Sequence, residues 1–107
     1  MPEITEQELK ELKAKAGAFD RFVAHLDKRK DVQNIDLMVL AGFCRNCLYK
    51  WYFAEAQSAG LDIDIEEAQQ RIYGMAYSKW KSQFQGKATQ EQLDAFNAIT
   101  PDQTSLP

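Results

Sequence analysis

The stretch from Ile35 to Ala59 constrains this chain more than any other. Leu37, Leu40, Ala41, Cys44, Cys47, Leu48, Trp51 and Ala54 recur at spacings of three and four, which is the period of one helix face. Val39, Phe43 and Phe53 lie well off that stripe, so the first half of the segment is apolar nearly all round. A helix of that kind either sits at the centre of a fold or also meets a partner. The pattern predicts one long helix from about Ile35 to Ala59, capped by Asn34 or Asp36 and stopped by Gly60 in the left-handed conformation.

The flanking segments are helical by the same criteria. Thr5-Glu6-Gln7-Glu8 is a capping box, in which the hydroxyl serves the N3 amide and the carboxylate reaches back to the cap. Leu9, Leu12, Ala16, Phe19, Val23 and Leu26 then follow at spacings of three and four, giving an amphipathic helix to about Arg29 with Gly17 as a tolerated weak point. Asp64 with Glu67 opens a helix through Ile72, and Gly74 breaks it. Met75 to Phe84 is expected as a short helix with Tyr77, Trp80 and Phe84 on one side. After Gly86, Thr89 with Gln92 opens the last helix. No strand-like alternation of useful length and no internal repeat is present. The expected fold is all-α: a small bundle of two longer antiparallel helices and two or three short C-terminal helices. It forms one domain over residues 1–100, with a flexible tail over 101–107.

Composition removes several functional classes. A chain of 107 residues with 45% apolar and 27% charged side chains builds one ordinary core. Its formal charge of −3 argues against attachment to nucleic acid or an anionic membrane by net charge. The densest basic run, Lys28-Arg29-Lys30, falls where the first helix should end and where cations suit its dipole. No apolar run reaches the roughly 20 residues that span a bilayer. The opening residues are dense in Glu and Lys and unlike a signal peptide. With two cysteines the chain is not a disulfide scaffold. A cytoplasmic protein with reduced thiols is expected.

Several stretches carry a resemblance. They are Asp31 to Met38, Leu40 to Leu48 with its Cys44-Arg45-Asn46-Cys47 core, and Lys50-Trp51-Tyr52. Downstream they continue with Tyr73-Gly74-Met75, Tyr77, Trp80-Lys81 and Ala88-Thr89. In these the chain resembles the bacterial domain-of-unknown-function family 1244, over most of residues 19 to 96. The resemblance implies a short, helical, cytosolic bacterial protein and supplies no activity and no catalytic residues. Ala76 stands where the family pattern leads one to expect proline.

Cys44 and Cys47 invite four readings. A thioredoxin-like redox pair belongs at a helix N-terminus, where dipole and free amides favour the thiolate. The predicted helix instead carries Cys44 two turns inside, with Arg45 roughly 100° away. A zinc site would need His25 and a carboxylate or water beside the two thiols. His25 lies roughly 110–140° from the centre of its own helix stripe, so convergence is difficult unless a symmetric dimer brings two cysteine pairs together. Nucleophilic catalysis, with His25 as base, meets the same geometry. Packing explains the pair most simply, because reduced cysteine is among the most buried residues and both sit on the stripe.

A surface is the other candidate. Gly42, Arg45, Tyr49 and Tyr52 share a helix face at spacings of three and four. Glycine admits a close backbone, and Tyr and Arg are enriched in interface hot spots. The expectation is therefore an interaction module without enzymatic activity, forming a homo-oligomer, dimer favoured, and meeting an unknown protein partner. No cofactor is expected. The alternative is a metal-binding protein, with zinc the first choice, or a thiol-redox-responsive protein, using Cys44 and Cys47.

Overall fold

The computed structural model describes residues 3–99. They form six helices: α1 (Glu6–Lys28), α2 (Asn34–Ala41), α3 (Arg45–Ser58), α4 (Ile65–Tyr73), α5 (Tyr77–Phe84) and α6 (Gln90–Asn97). No strand occurs among the described residues. The tail expected over 101–107 lies outside them.

The caps stand close to where the sequence puts them. Thr5 Oγ1 accepts from the Glu8 amide at 3.0 Å and the Glu8 carboxylate accepts from the Thr5 amide at 3.2 Å. That hydrogen bonding holds the Glu8 carboxyl below the usual glutamate range. Thr89 and Gln92 repeat the box at α6, and Asp64 accepts from the Glu67 amide at α4. Gly60 and Gly74 hold the left-handed backbone expected of stops. Ala76 precedes α5 at φ −57°, the value that proline imposes. The alanine thus keeps the backbone geometry of the expected proline.

One expectation fails. The long helix predicted from Ile35 to Ala59 is two helices, because Gly42 takes φ 73° and ends α2, its amide donating to the Met38 carbonyl. The chain then runs extended through Cys44 and restarts as α3. The apolar period continues across the break, so the stripe gave no warning. Gln33 rather than Asn34 or Asp36 is the N-cap of α2, with its amide on the Asp36 carboxylate.

The core joins the C-terminal half of α1 to α3, α4 and α5. Leu26, Leu48, Ala68, Ile72, Tyr73 and Trp80 are buried at its centre, and Phe19, Val23 and Tyr52 pack against them. A smaller cluster of Met38, Cys44 and Cys47 lies beneath Phe43. α6 packs on α2, where Gln92 donates to Asp36 at 2.8 Å. From Glu3 to Ala18, by contrast, every residue is exposed, so α1 projects beyond the body. The molecule measures 53 × 30 × 23 Å.

Candidate functional site: the Cys-Arg-Asn-Cys junction

The break at Gly42 changes what the motif is. Cys44 is the N-cap of α3, at φ −144° and ψ −177°, and Cys47 occupies N3. The Cys44 amide donates to Cys47 Sγ at 3.3 Å, and the two sulfurs lie 3.9 Å apart. The pair is therefore at a helix start and not two turns inside one. The geometric objection to redox chemistry falls with that correction. Both thiols are buried, Cys44 to 5% exposure and Cys47 to 0%. Burial pushes the Cys47 thiol above its ordinary value; the hydrogen bond from the Cys44 amide opposes this, and the nearby Cys44 thiol reinforces it. A raised thiol holds less of the nucleophilic thiolate at neutral pH.

Arg45 is the most heavily bonded side chain in the molecule's interior. It is 2% exposed. Its guanidinium donates to the carbonyls of Val32 at 2.8 Å, Arg29 at 2.9 Å and Leu26 at 3.4 Å, and to Asn34 Oδ1 at 3.1 Å. It also lies 5.1 Å from the centre of the Trp80 ring, a cation–π distance. Burial lowers its pKa, but a guanidinium stays charged. Among the described residues no carboxylate hydrogen-bonds it. Its partners are Asn34, the Val32 carbonyl in the α1–α2 connection, and the Leu26 and Arg29 carbonyls at the C-terminal end of α1. There the helix dipole is negative, and each of those two carbonyls also accepts a backbone amide. Arg45 thus caps α1 from α3.

Polar neighbours that the sequence reading left out complete the junction. Asn34 Oδ1 also accepts from the Arg45 amide, and Asn34 Nδ2 donates to the Tyr73 hydroxyl at 3.1 Å. That hydroxyl in turn donates to Asn46 Oδ1. Gln33 accepts from the Gly86 amide and donates to the Phe84 carbonyl, tying the α1–α2 connection to the end of α5. Burial raises the Tyr73 pKa well above that of an ordinary tyrosine. All buried side-chain polar atoms among the described residues have a partner. The signal for this network was the amide pair Gln33-Asn34, upstream of the motif, together with Asn46 within it.

The sequence-derived sites divide on the structure. Cys44 and Cys47 meet; His25 stands exposed on α1 and does not join them. Among the described residues, no three His, Cys, Asp or Glu side chains come close enough to hold a metal ion. The expected face of Gly42, Arg45, Tyr49 and Tyr52 is split by the helix break. Arg45 and Tyr49 are buried, whereas Gly42 and Tyr52 are half-buried. Trp80 is buried in the core, while Trp51, on the predicted stripe, is 48% exposed.

The model of a family described as a protein of unknown function, DUF1244, matches residues 32–98, which is more than half of the chain. The chain belongs to the DUF1244 family. No curated protein matches it. The DUF1244 match covers α2 to α6 and begins at Val32, so α1 lies outside it. It includes the whole Arg45 junction except the α1 carbonyls that Arg45 caps.

Proposed function

We propose that this DUF1244 protein is a small helical interaction module that self-associates, meets a protein partner and has no enzymatic activity of its own. One observation carries the reading: large apolar side chains stand on the outside of otherwise well-satisfied helices. Leu40 on α2 is 86% exposed beside Val39, above a shallow groove shared with Glu91 and Ala95 of α6. Exposed apolar groups gathered into a patch and rimmed by polar residues mark interaction surfaces. No helix among the described residues is long and apolar enough to cross a membrane, and a cytoplasmic protein of bacterial origin is part of this proposal. Light scattering on the purified chain tests the self-association. A dimer mass at tens of micromolar supports it, and a strict monomer there sinks it.

The position of Cys44 and Cys47 at the start of α3 favours a second reading, a thiol- or metal-responsive protein. Two thiols 3.9 Å apart at N-cap and N3 are neighbours at a helix start, the position of a thiol pair that can react together. Zinc would need ligands beyond them. Burial and the raised Cys47 thiol weigh against it. Elemental analysis of untagged protein, with native thiol labelling, separates the readings. A stoichiometric metal lost in Cys44→Ser, or fast labelling of both thiols, would favour the second.

A further inference from the structure

The N-terminal half of α1 is helical without a neighbour. Leu9 and Leu12 are 42% and 48% exposed, on a projecting three-turn segment. A lone helix of that length is marginal in water. Its apolar residues Leu9, Leu12, Ala16, Phe19, Val23 and Leu26 follow a strict three-four repeat, the pattern of a coiled-coil seam. The body of the molecule covers that seam only from Phe19 onward. Glu6 and Lys13 flank the open part on one side, and Glu8 and Lys15 on the other.

We propose that the open seam is the self-association surface, occupied by the same segment of a second copy running antiparallel, with Leu9 against the partner's Leu12. This rests on the reading that the chain self-associates, and it names where. Three alternative arrangements fail. A parallel pair would drive both bodies, which sit on the same face of α1, into one space. A deeper antiparallel overlap would push the partner's Leu9 onto Phe19, which the body already covers. A shallower one, shifted by a heptad, sets Glu6 against the partner's Glu6 and Glu8 against the partner's Glu8. The remaining register places Glu6 opposite the partner's Lys13 and Glu8 opposite the partner's Lys15. By symmetry that makes four attractive pairs and no repulsive one. Within the chain Lys15 meets Glu11 at 3.7 Å and Glu6 meets Lys10 at 3.5 Å, exposed contacts of little strength that do not prevent the exchange. Glu8 Oε1 accepts from the Thr5 amide, while its other oxygen can still take the partner's Lys15.

The test uses the whole chain and sedimentation velocity, with near-ultraviolet circular dichroism of the buried Trp80 and Tyr73 as a check that the core is kept. Leu9→Glu/Leu12→Glu, which changes only exposed side chains, is expected to be monomeric where the unaltered chain is dimeric. Lys13→Glu is expected to weaken association about tenfold, since two attractive pairs become repulsive. Adding Glu6→Lys to it restores affinity to within about threefold, because the pairs re-form with signs exchanged. A dimer retained in Leu9→Glu/Leu12→Glu, or no rescue by the charge exchange, overturns the α1 seam while leaving self-association through another surface. A monomeric unaltered chain overturns both.

Discussion

Arg45 shows how one side chain can connect segments far apart in sequence. Its hydrogen bonds go to Leu26, Arg29, Val32 and Asn34, and its flat face to Trp80. Lysine offers a single point of charge with a different reach and cannot reproduce the fork. Arg45→Lys is expected to cost about 1–3 kcal/mol and Arg45→Ala about 3–5 kcal/mol, since four acceptors each lose a charged donor, the Val32 carbonyl among them, and a buried side chain is deleted; urea unfolding reads both. Tyr73 makes a pH prediction at the same scale. Its folded pKa is raised, so the fold favours the neutral phenol. That contribution is fully present below the ordinary tyrosine value of about 10 and is lost as pH rises above it towards the folded value. Stability is therefore expected to fall above about pH 10, with Tyr73→Phe flattening the decline. Phenolate absorbance should show one of the four tyrosines ionising only as the protein unfolds.

At the scale of elements, Gly42 decides the architecture. Any other residue at φ 73° strains the backbone, so Gly42→Ala is expected to destabilise by about 1–2 kcal/mol, measured by thermal unfolding. Ala76→Pro should act in the opposite sense, raising stability by about 0.5–1 kcal/mol, because φ −57° already suits the ring. These two positions also show what was legible in the sequence. Thr5, Thr89, Asp64, Gly60 and Gly74 carry local signals whose chemistry is complete within four residues, and each was read correctly. Gly42 carries the same signal as Gly74, but an unbroken apolar period around it and a cysteine in place of an oxygen cap masked the restart at Cys44. The placement of Arg45 was not legible for a different reason. A mid-motif arginine between two apolar positions looks like a surface residue until the carbonyls of α1, 16 to 19 residues earlier, are brought over it.

For the whole molecule, the uneven burial of α1 predicts uneven protection. From Phe19 onward α1 is anchored to the core by Phe19, Val23 and Leu26, whereas the turns before it are held only by their own helix. Hydrogen exchange in the monomeric Leu9→Glu/Leu12→Glu variant should find the segment before Phe19 exchanging near the rate of an open chain, with protection rising sharply after it. In the associated protein the protected region is expected to extend to about Leu9. Flat protection along all of α1 in the monomer would contradict the picture of a projecting, unsupported half.

The buried guanidinium has a consequence for how this protein comes apart. Four of the six helices meet its charge directly: α1 and α2 with the connection between them, α3 from which it grows, and α5 through Trp80. Detaching any one of them strips partners from a cation that water cannot yet reach. Half-open states are thereby made costlier than either the closed or the fully unravelled chain. The charge at the junction ties the loss of these elements together, so the body is expected to open in one all-or-none step while the projecting start of α1 opens on its own.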